Sequence, residues 1–511
     1  MVHRGRLSAA CGPCRSRRLK CDQQKPFCSQ CIRAKRECSG YRDVTAGRFY
    51  DQTEEVKKKN SSSHSSSSSP STSFSSPPSP VWQASPPVSL VRQHVSVPMH
   101  DHGTAFMLNR YLSKDGLNEV RGPLGTFLPH ILSTNSGRAV TASLNATGLA
   151  ALSNIYQSPQ LMIAARQEYG RALAETNAVL CDEVQSTSNA SLVAVAFLGM
   201  FEIMTCNGPP LMEKYLNHVE GSARLLQLRG SDQLKDDVGL GLFSQFRTTI
   251  VLGNFWLKNS TPSWLIDLSN EALAYRGERG REDDELFLLM AKVGDLCAGL
   301  RNGALIEPIK VVKKALKLDA ELSAWAMSLA PSRHYTVINL PKSADEGSRH
   351  APFRHVYGNH YHIYPDTVIA AWWNDYRFVR MILLELICWL CDHLASKNED
   401  LSSEYRQTIA HSSALSQQLT EDICASVPYH LGATKDSTKE DWSSTRTGGM
   451  VRLIWPLFIA ADAVGVVPKT VDWIADTLFR IGCGVGVQQA VVMSNLLRSG
   501  QHLIWLPELG K

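Results

Sequence analysis

Six cysteines between residues 11 and 38 form a twofold repeat, and this repeat restricts how the start of the chain can fold. The order is Cys-x2-Cys-x6-Cys, six further residues, and the same pattern again: Cys11, Cys14, Cys21, Cys28, Cys31 and Cys38. No apolar segment typical of a secretory signal precedes Cys11, so these cysteines are predicted to bind metal rather than to form disulfides. Because so small a segment buries little apolar surface, metal binding is predicted to supply its folding free energy.

The number of thiols predicts two zinc ions that share ligands. A structural zinc site takes four ligands, so one ion leaves two of the six thiolates unused, and two separate ions require eight. Six are enough only if two thiolates bridge both ions. The symmetry of the repeat assigns this role to the first cysteine of each half, Cys11 and Cys28. The remaining cysteines of each half then complete one site each: Cys14 with Cys21, and Cys31 with Cys38.

Positive charge is concentrated around these cysteines. Residues 1–60 contain 15 Lys and Arg against 6 Asp and Glu, a balance of +9, whereas the whole chain carries +5 and the remainder therefore −4. Within the first half-repeat, Arg15, Arg17, Arg18 and Lys20 place four cations in six residues. Cations this dense repel one another within a fold, but facing phosphates they gain affinity through counterion release. The segment is therefore predicted to bind nucleic acid, against the alternative of a zinc-stapled interaction module with no role on DNA.

The cysteine spacing resembles that of the fungal zinc binuclear-cluster (Zn2Cys6) transcription factors. The match also includes the core Cys14-Arg15-x-Arg17-Arg18-x-Lys20-Cys21 and the Lys25-Pro26 step in the connection. The resemblance implies a module whose first short helix enters the major groove of double-stranded DNA and reads a CGG triplet. Arg18 stands where the family usually has its base-reading lysine, and an arginine can bond guanine O6 and N7 together.

The same resemblance divides the basic residues by role. Arg17 is expected to assist at the bases, while Arg15 and Lys20 are expected to contact phosphates, which position the protein without specifying sequence. Three cations of the second half are weaker phosphate candidates: Arg33, Lys35 and Arg36. Helix-compatible stretches are predicted at 15–20 and 32–37, one in each half.

Beyond the cysteines, composition predicts a mostly α protein in three parts. These are a two-zinc DNA-binding module at 1–45, a disordered Ser/Pro linker at 46–100, and a large all-α domain at 101–511. Ser61–Pro80 contains 13 Ser and 4 Pro in 20 positions and cannot bury enough apolar surface to offset its ordering entropy. Helical composition and spacing recur without period-two alternation in four later stretches: Leu161–Val184, Leu211–Arg229, Asp375–Leu394 and Val471–Ile481.

Three stretches of the helical part resemble the regulatory domain of fungal-specific transcription factors: Tyr215–Gly230, Trp372–Ile387 and Leu453–Asp462. The resemblance implies a domain that modulates output or contacts the transcription machinery or co-regulators. Ser39–Asn60 lacks the apolar heptads of a dimerising coiled coil. Either residues 101–511 form a homodimer, or the protein engages a single half-site as a monomer.

Other motifs predict neither catalysis nor membrane insertion. No catalytic signature is found and no apolar run reaches the length of a membrane span; an enzyme at 101–511 with an appended zinc module is the second alternative. The seven later cysteines, including the pair Cys388 and Cys391 beside His393, are predicted to be core residues. His350, His355, His360 and His362 are predicted to be polar loop residues rather than a metal site. The chain is thus predicted to be a nuclear regulator of RNA polymerase II transcription.

Overall fold

Helices make up nearly all the regular structure, as the sequence predicts. The computed structural model describes residues 10–17, 19–24, 26–39, 99–112, 128, 131–132, 137–208, 212–276, 280–303, 307–340, 355–397, 402–435 and 447–501. Arg18, Lys25, His350 and, apart from its last two residues, the predicted linker lie outside these ranges. The chain divides into two units, Met1–Val91 and Arg92–Lys511. The finer boundaries at 45 and 100 remain predictions.

The first unit contains two five-residue helices, α1 (Gly12–Ser16) and α2 (Ser29–Arg33). Each begins one residue after the first cysteine of its half and ends before the predicted stretch does. The predicted helices at 15–20 and 32–37 are therefore only partly correct. The chain has to leave the helix early because the third cysteine of each half must return to the other two.

The second unit contains fourteen helices within the described residues and one small hairpin. Its helices are α3 (Met99–Leu112), α4 (Arg138–Tyr156), α5 (Pro159–Leu180), α6 (Asn189–Met204), α7 (Glu213–Arg229), α8 (Asp237–Leu257), α9 (Ser263–Ala272), α10 (Arg281–Arg301), α11 (Pro308–Ser328), α12 (Thr367–Lys397), α13 (Ser402–His430), α14 (Thr447–Ala461), α15 (Pro468–Val485) and α16 (Gln488–Arg498). Two 3-10 turns lie at Gly230–Leu234 and Pro331–Arg333. Strands β1 (Thr336–Asn339) and β2 (His360–Ile363) pair antiparallel, with Thr336 opposite Ile363. This hairpin was not among the elements predicted from the sequence.

Local signals explain where several helices begin and end. Ser158 accepts a hydrogen bond from the backbone N–H of Leu161 at the start of α5, and Pro159 takes the first helical position, where no intrahelical N–H is needed. Gly230 follows α7 with a φ of 53° and a ψ of −149°, a conformation that favours glycine. The three stretches that resemble the regulatory domain lie mainly on α7, α12 and α14.

The longest helix, α12, lies at the centre of the second unit. Twenty of its 31 residues are buried, and it packs against α10, α11, α13 and α14. Cys388 and Cys391 are both buried on this helix, which confirms their predicted place in the core. A helix buried on most of its faces needs apolar residues almost all round, as the run Met381–Ile387 provides with one interruption, Glu385.

The end of α15 contacts α4, although the two helices are far apart in the sequence. Gly486, with a φ of 81°, approaches Ala151 so closely that a Cβ added at Gly486 would lie 2.4 Å from the Ala151 carbonyl oxygen. The side-chain amide of Asn154 donates to the Gly486 carbonyl at 2.8 Å and to the Met204 carbonyl at 2.7 Å. Only glycine satisfies both the backbone angle and the contact, so α4, α6 and α15 meet at this point.

Two of the sequence predictions for single residues are wrong. His360 and His362 are not loop residues, because both lie on β2. His362 is 1% exposed and stacked on Tyr335 with ring centroids 4.1 Å apart, and burial lowers its pKa to about 2. Cys181 and Cys483 are exposed rather than core residues, because each falls on the outer face of, or just beyond, an amphipathic helix. No helix among the described residues is long and apolar enough to cross a membrane.

Candidate metal centre and nucleic-acid interface

Six thiols that are distant in sequence meet in the first unit. Five of them are buried, and Cys21 is half-buried. The Cys11 sulfur lies 3.6 Å from that of Cys28 and 3.7 Å from that of Cys31, and the sulfurs of Cys14 and Cys28 are 3.7 Å apart. With Zn–S bonds of about 2.3 Å, two ligands on the edge of a zinc tetrahedron are separated by about 3.8 Å. The sulfur spacing therefore fits zinc.

The thiols form two groups of four that have two members in common. One group is Cys11, Cys14, Cys21 and Cys28, and the other is Cys11, Cys28, Cys31 and Cys38, with the sulfurs of each group within 4.8 Å of one another. The shared members, Cys11 and Cys28, are the two that the repeat predicts as bridges. Burial raises the pKa of Cys14 to about 12, so this thiol would ionise at neutral pH only beside a cation that stabilises the thiolate.

A specific turn ends the second helix and brings the chain back to the sulfurs. The N–H of Arg36 donates to the Cys31 carbonyl at 3.0 Å, and the N–H of Lys35 donates to the Ile32 carbonyl at 3.0 Å. This pair of bonds is the Schellman motif, and Lys35 occupies its left-handed position with a φ of 48°. In the first half the N–H of Leu19 donates to the Cys14 carbonyl at 2.9 Å, the equivalent of the Arg36 bond. Among the described residues, the two halves thus have this backbone bond in common.

In each half of the module, the residue after the third cysteine also contacts the other half. Asp22, which follows Cys21, accepts from the backbone N–H of Ser29 through both carboxylate oxygens at 3.2 Å. In the equivalent place, a Cβ added at Gly12 would lie 2.7 Å from the hydroxyl of Ser39, the residue that follows Cys38. The contacts are related by the same 17-residue offset as the cysteines. The module therefore has approximate twofold symmetry, in which neither half is complete alone; the sequence analysis missed the pairing of Asp22 with Ser29.

The shared backbone carries different charges in the two halves. Residues 15–20 contain four cations and no acid, whereas the equivalent residues 32–37 contain three cations and Glu37. Arg17 and Lys20 are exposed, so both are free to meet solvent or a partner. Arg18 and the side chain of Arg15 lie outside the described part of the module. Arg33, Lys35 and Arg36 are exposed as well.

Comparison with known proteins identifies residues 9–47 of the first unit. Residues 9–47 match the fungal Zn(2)-Cys(6) binuclear cluster domain, a domain that holds two zinc ions through six cysteines. An uncharacterized transcriptional regulatory protein of Schizosaccharomyces pombe is 53% identical over 38 residues, 7% of each chain. White-opaque regulator 2 of Candida albicans is 48% identical over 40 residues, 8% of this chain and 9% of its own. The small segment at 9–47 is thus a two-zinc domain of the kind found in fungal transcriptional regulators.

One relative aligns over a longer stretch. Transcription factor dbaG of Emericella nidulans is 30% identical over 156 residues, 28% of this chain and 35% of its own. Because this alignment is longer than the zinc-cluster segment, the likeness includes residues outside 9–47. The chain covers between 7% and 35% of the length of these three relatives. No solved structure matches this chain.

Proposed function

We propose that this protein is a nuclear, sequence-specific DNA-binding regulator of RNA polymerase II transcription and not an enzyme. The observation that carries the proposal is a contrast between the halves of the zinc module. Both halves form the same backbone bond, from Leu19 to Cys14 and from Arg36 to Cys31, but only the first half has an acid-free run of four cations. Structural stability gives no reason for such a difference, because the second half forms the same bond, from Arg36 to Cys31, with the acidic Glu37 next in sequence. A phosphate-lined groove gives one. The names of the relatives, all of them transcriptional regulators, support the same function.

The six cysteines are proposed as the zinc ligands, with Cys11 and Cys28 bridging the two ions. When bound, the zinc ions supply the folding free energy of the module. The protein's own groups then act on DNA: α1 and its continuation enter the major groove at a CGG-like site, Arg18 reads guanine, and Arg17 assists. Arg15 and Lys20 bind phosphates. The domain at 101–511 is proposed to modulate output, to contact co-regulators or the transcription machinery, and to be the place of any homodimerisation.

Binding-site selection in vitro with the full-length, zinc-loaded chain tests the proposal as a whole. A random duplex library should become enriched in CGG-containing sites. Enrichment of no sequence, while the protein retains two zinc ions, would favour the interaction module that does not bind DNA. The number and spacing of the enriched triplets also distinguish a dimer from a monomer, since a dimer selects two half-sites.

The role of Arg18 is tested by comparing equivalent positions of the two halves. Arg18→Ala should lower the preference for CGG over a mismatched triplet by roughly ten- to a hundredfold, because a bidentate contact to guanine contributes about 1–3 kcal/mol of discrimination. Lys35 lies 17 residues later, at the equivalent position of the second half-repeat, and Lys35→Ala should leave the preference unchanged. Titration of both variants with matched and mismatched duplexes measures the ratio. Equal losses in the two variants would refute the assignment of the first half as the reader.

Arg15 is expected to behave differently from Arg18. Arg15→Ala should weaken binding to matched and mismatched duplexes by the same factor and reduce the salt slope of log K by about 1, because one phosphate contact is lost. The slope is measured by repeating the titrations between low and moderate salt. A change in base preference, with the salt slope unaltered, would show that Arg15 contacts bases instead.

A further inference from the structure

The second unit contains a cavity that no part of the proposed DNA mechanism uses. It has a volume of about 290 Å³ and lies between α6, α7, α8, α12 and α14. This volume is close to the lower end of the range of about 300–1,000 Å³ found for small-molecule sites. A well-packed helical domain has few voids larger than a water molecule, so a cavity of this size requires an explanation.

Aromatic and aliphatic side chains form most of the cavity wall. Trp256 of α8 and Trp455 of α14 meet edge to face there, with ring centroids 4.2 Å apart. Phe246 and Phe378 also line it, together with aliphatic side chains such as Leu252. Such a wall favours a flat, largely apolar occupant over a sugar, a nucleotide or another polyanion.

The charges that line the cavity cancel one another. Among the described lining residues, the carboxylate and the guanidinium belong to Asp375 and Arg452, and they pair with each other at 2.5 Å. Burial lowers the pKa of His218, so its ring is uncharged at neutral pH, and burial raises the pKa of Tyr215 to about 12, so its hydroxyl remains protonated. An ionised ligand would therefore lose its hydration without gaining an unpaired counter-charge.

One buried side-chain oxygen of the described lining residues lacks a hydrogen-bond donor. The side-chain oxygen of Gln245 is buried and has no partner within the described residues. A buried acceptor without a donor is costly, and a ligand that carries a hydroxyl or N–H group would remove that cost.

We infer that this cavity binds an uncharged, largely aromatic small molecule that carries at least one hydroxyl donor. The inference does not rest on the proposed function, because every residue that lines the cavity belongs to 92–511 and no DNA is needed for binding. If the chain fails to bind DNA, the proposed ligand site is not refuted. If the cavity binds no ligand, the proposed DNA-binding function is not refuted.

Equilibrium dialysis of the full-length chain against 2-naphthol tests the site with a probe of this chemistry. The expected result is saturable binding of one molecule per chain, with 2-naphthoate, the anion of similar shape, bound at least tenfold more weakly. Absence of saturable binding would overturn the proposal. Tighter binding of 2-naphthoate would overturn the assignment of an uncharged ligand.

Gly448 allows the cavity to be filled without disturbing its wall. It lines the cavity on α14, its φ is ordinary for a helix, and a Cβ added there meets no described atom within 4 Å. Gly448→Phe should lower the affinity for 2-naphthol at least tenfold, whereas Gly448→Ala should leave it within about twofold. If both Gly448 variants have the melting temperature of the parent and equal affinities for 2-naphthol, the probe binds elsewhere and the proposal is overturned.

A second variant keeps the proposal falsifiable if Gly448→Phe fails to fold. Gln245→Leu is close in size and removes the unpartnered oxygen, so it should fold at least as well as the parent. It should lower the affinity for 2-naphthol about fivefold and reduce the ratio of the affinities for 2-naphthol and 2-naphthoate. An unchanged affinity would show that the hydroxyl of the probe does not bond to Gln245 and would refute the donor requirement.

Discussion

Replacing Cys28 by alanine should release both zinc ions from the protein. Cys28 belongs to both groups of four thiols, so each group falls to three ligands when it is removed. A structural zinc ion contributes about 10–16 kcal/mol of apparent binding free energy to a small metal-folded module at neutral pH. The module should therefore unfold and lose DNA binding together with its metal. Metal analysis of the dialysed full-length protein, together with a DNA titration, measures both effects.

Cys38 provides the matched control. It is buried as Cys28 is, but it belongs to one group only, so Cys38→Ala should retain one tightly held zinc ion. Cys28 also caps α2, since its sulfur accepts from the N–H of Cys31 at 3.4 Å. Cys28→Ser preserves a side chain that can cap the helix and should nevertheless lose both ions. Two equivalents of zinc in either Cys28 variant would refute the bridging role.

In the second unit, Arg247→Leu should lower the free energy of unfolding by about 3–5 kcal/mol, the usual cost of removing one partner from a buried ion pair. The Arg247 side chain on α8 is fully buried and contacts Asp284 at 2.6 Å and Asp283 at 2.8 Å, both on α10. It also lies over the ring of Phe287, 4.5 Å from the centroid. Without Arg247, Asp284 at 1% exposure faces only Arg276 among the cations described nearby. Urea denaturation followed by circular dichroism measures the loss.

Two comparisons separate the charge effect from lost packing. Arg224→Leu removes the same side chain from an exposed pair with Glu220 on α7 and should change the stability by less than about 0.5 kcal/mol. Adding Asp284→Leu to Arg247→Leu should recover part of the loss, because it removes the unpaired buried carboxylate. A double variant less stable than Arg247→Leu alone would show that packing, not charge, dominates.

The loss caused by Arg247→Leu should also shrink as the pH falls. Burial already raises the pKa of Asp284, while Arg247 and Arg276 oppose the increase. Removing Arg247 raises the folded-state pKa further above the unfolded value. A group with a raised folded-state pKa favours the fold at low pH, and this contribution is lost as the pH rises through the folded pKa. The deficit should therefore be smaller at mildly acidic pH than at neutral pH.

The sequence predicts the zinc module better than the rest of the chain because ligand number is an integer constraint. Six thiols can hold two four-coordinate zinc ions only if the ions share two thiolates. The symmetry of the repeat selects Cys11 and Cys28 for this role without any knowledge of the fold. The helix ends were less predictable. In the second half, the helix end depends on the turn at Lys35. A lysine takes a left-handed conformation there, at a position where glycine or asparagine is usual. The position of Asp22 against Ser29 has no sequence signature either.

In the second unit, helical periodicity is a local property and could be recognised from the sequence. The cavity is not local, because distant segments of the chain form its wall. The cavity forms where Tyr215, Trp256 and Trp455 meet, and these residues are separated by up to 240 positions in sequence. The hairpin that buries His362 has the same origin: its strands are short, and they pair across residues 340–359, a connection too long to be a tight hairpin turn. Tertiary packing decides such features, and single-sequence periodicity does not report it.

The tie between Asn154 and Gly486 has a consequence for how the protein is made. The two residues are 332 positions apart, which ribosomes at about 5–20 residues per second cross in roughly 20–60 s. During that interval α4 and α6 lack their last partner, and apolar surface left exposed in this way is prone to aggregation. The zinc module needs nothing beyond Ser39 and can close as soon as it emerges. A premature stop in the last third of the gene would therefore leave a DNA reader attached to a domain that cannot finish folding.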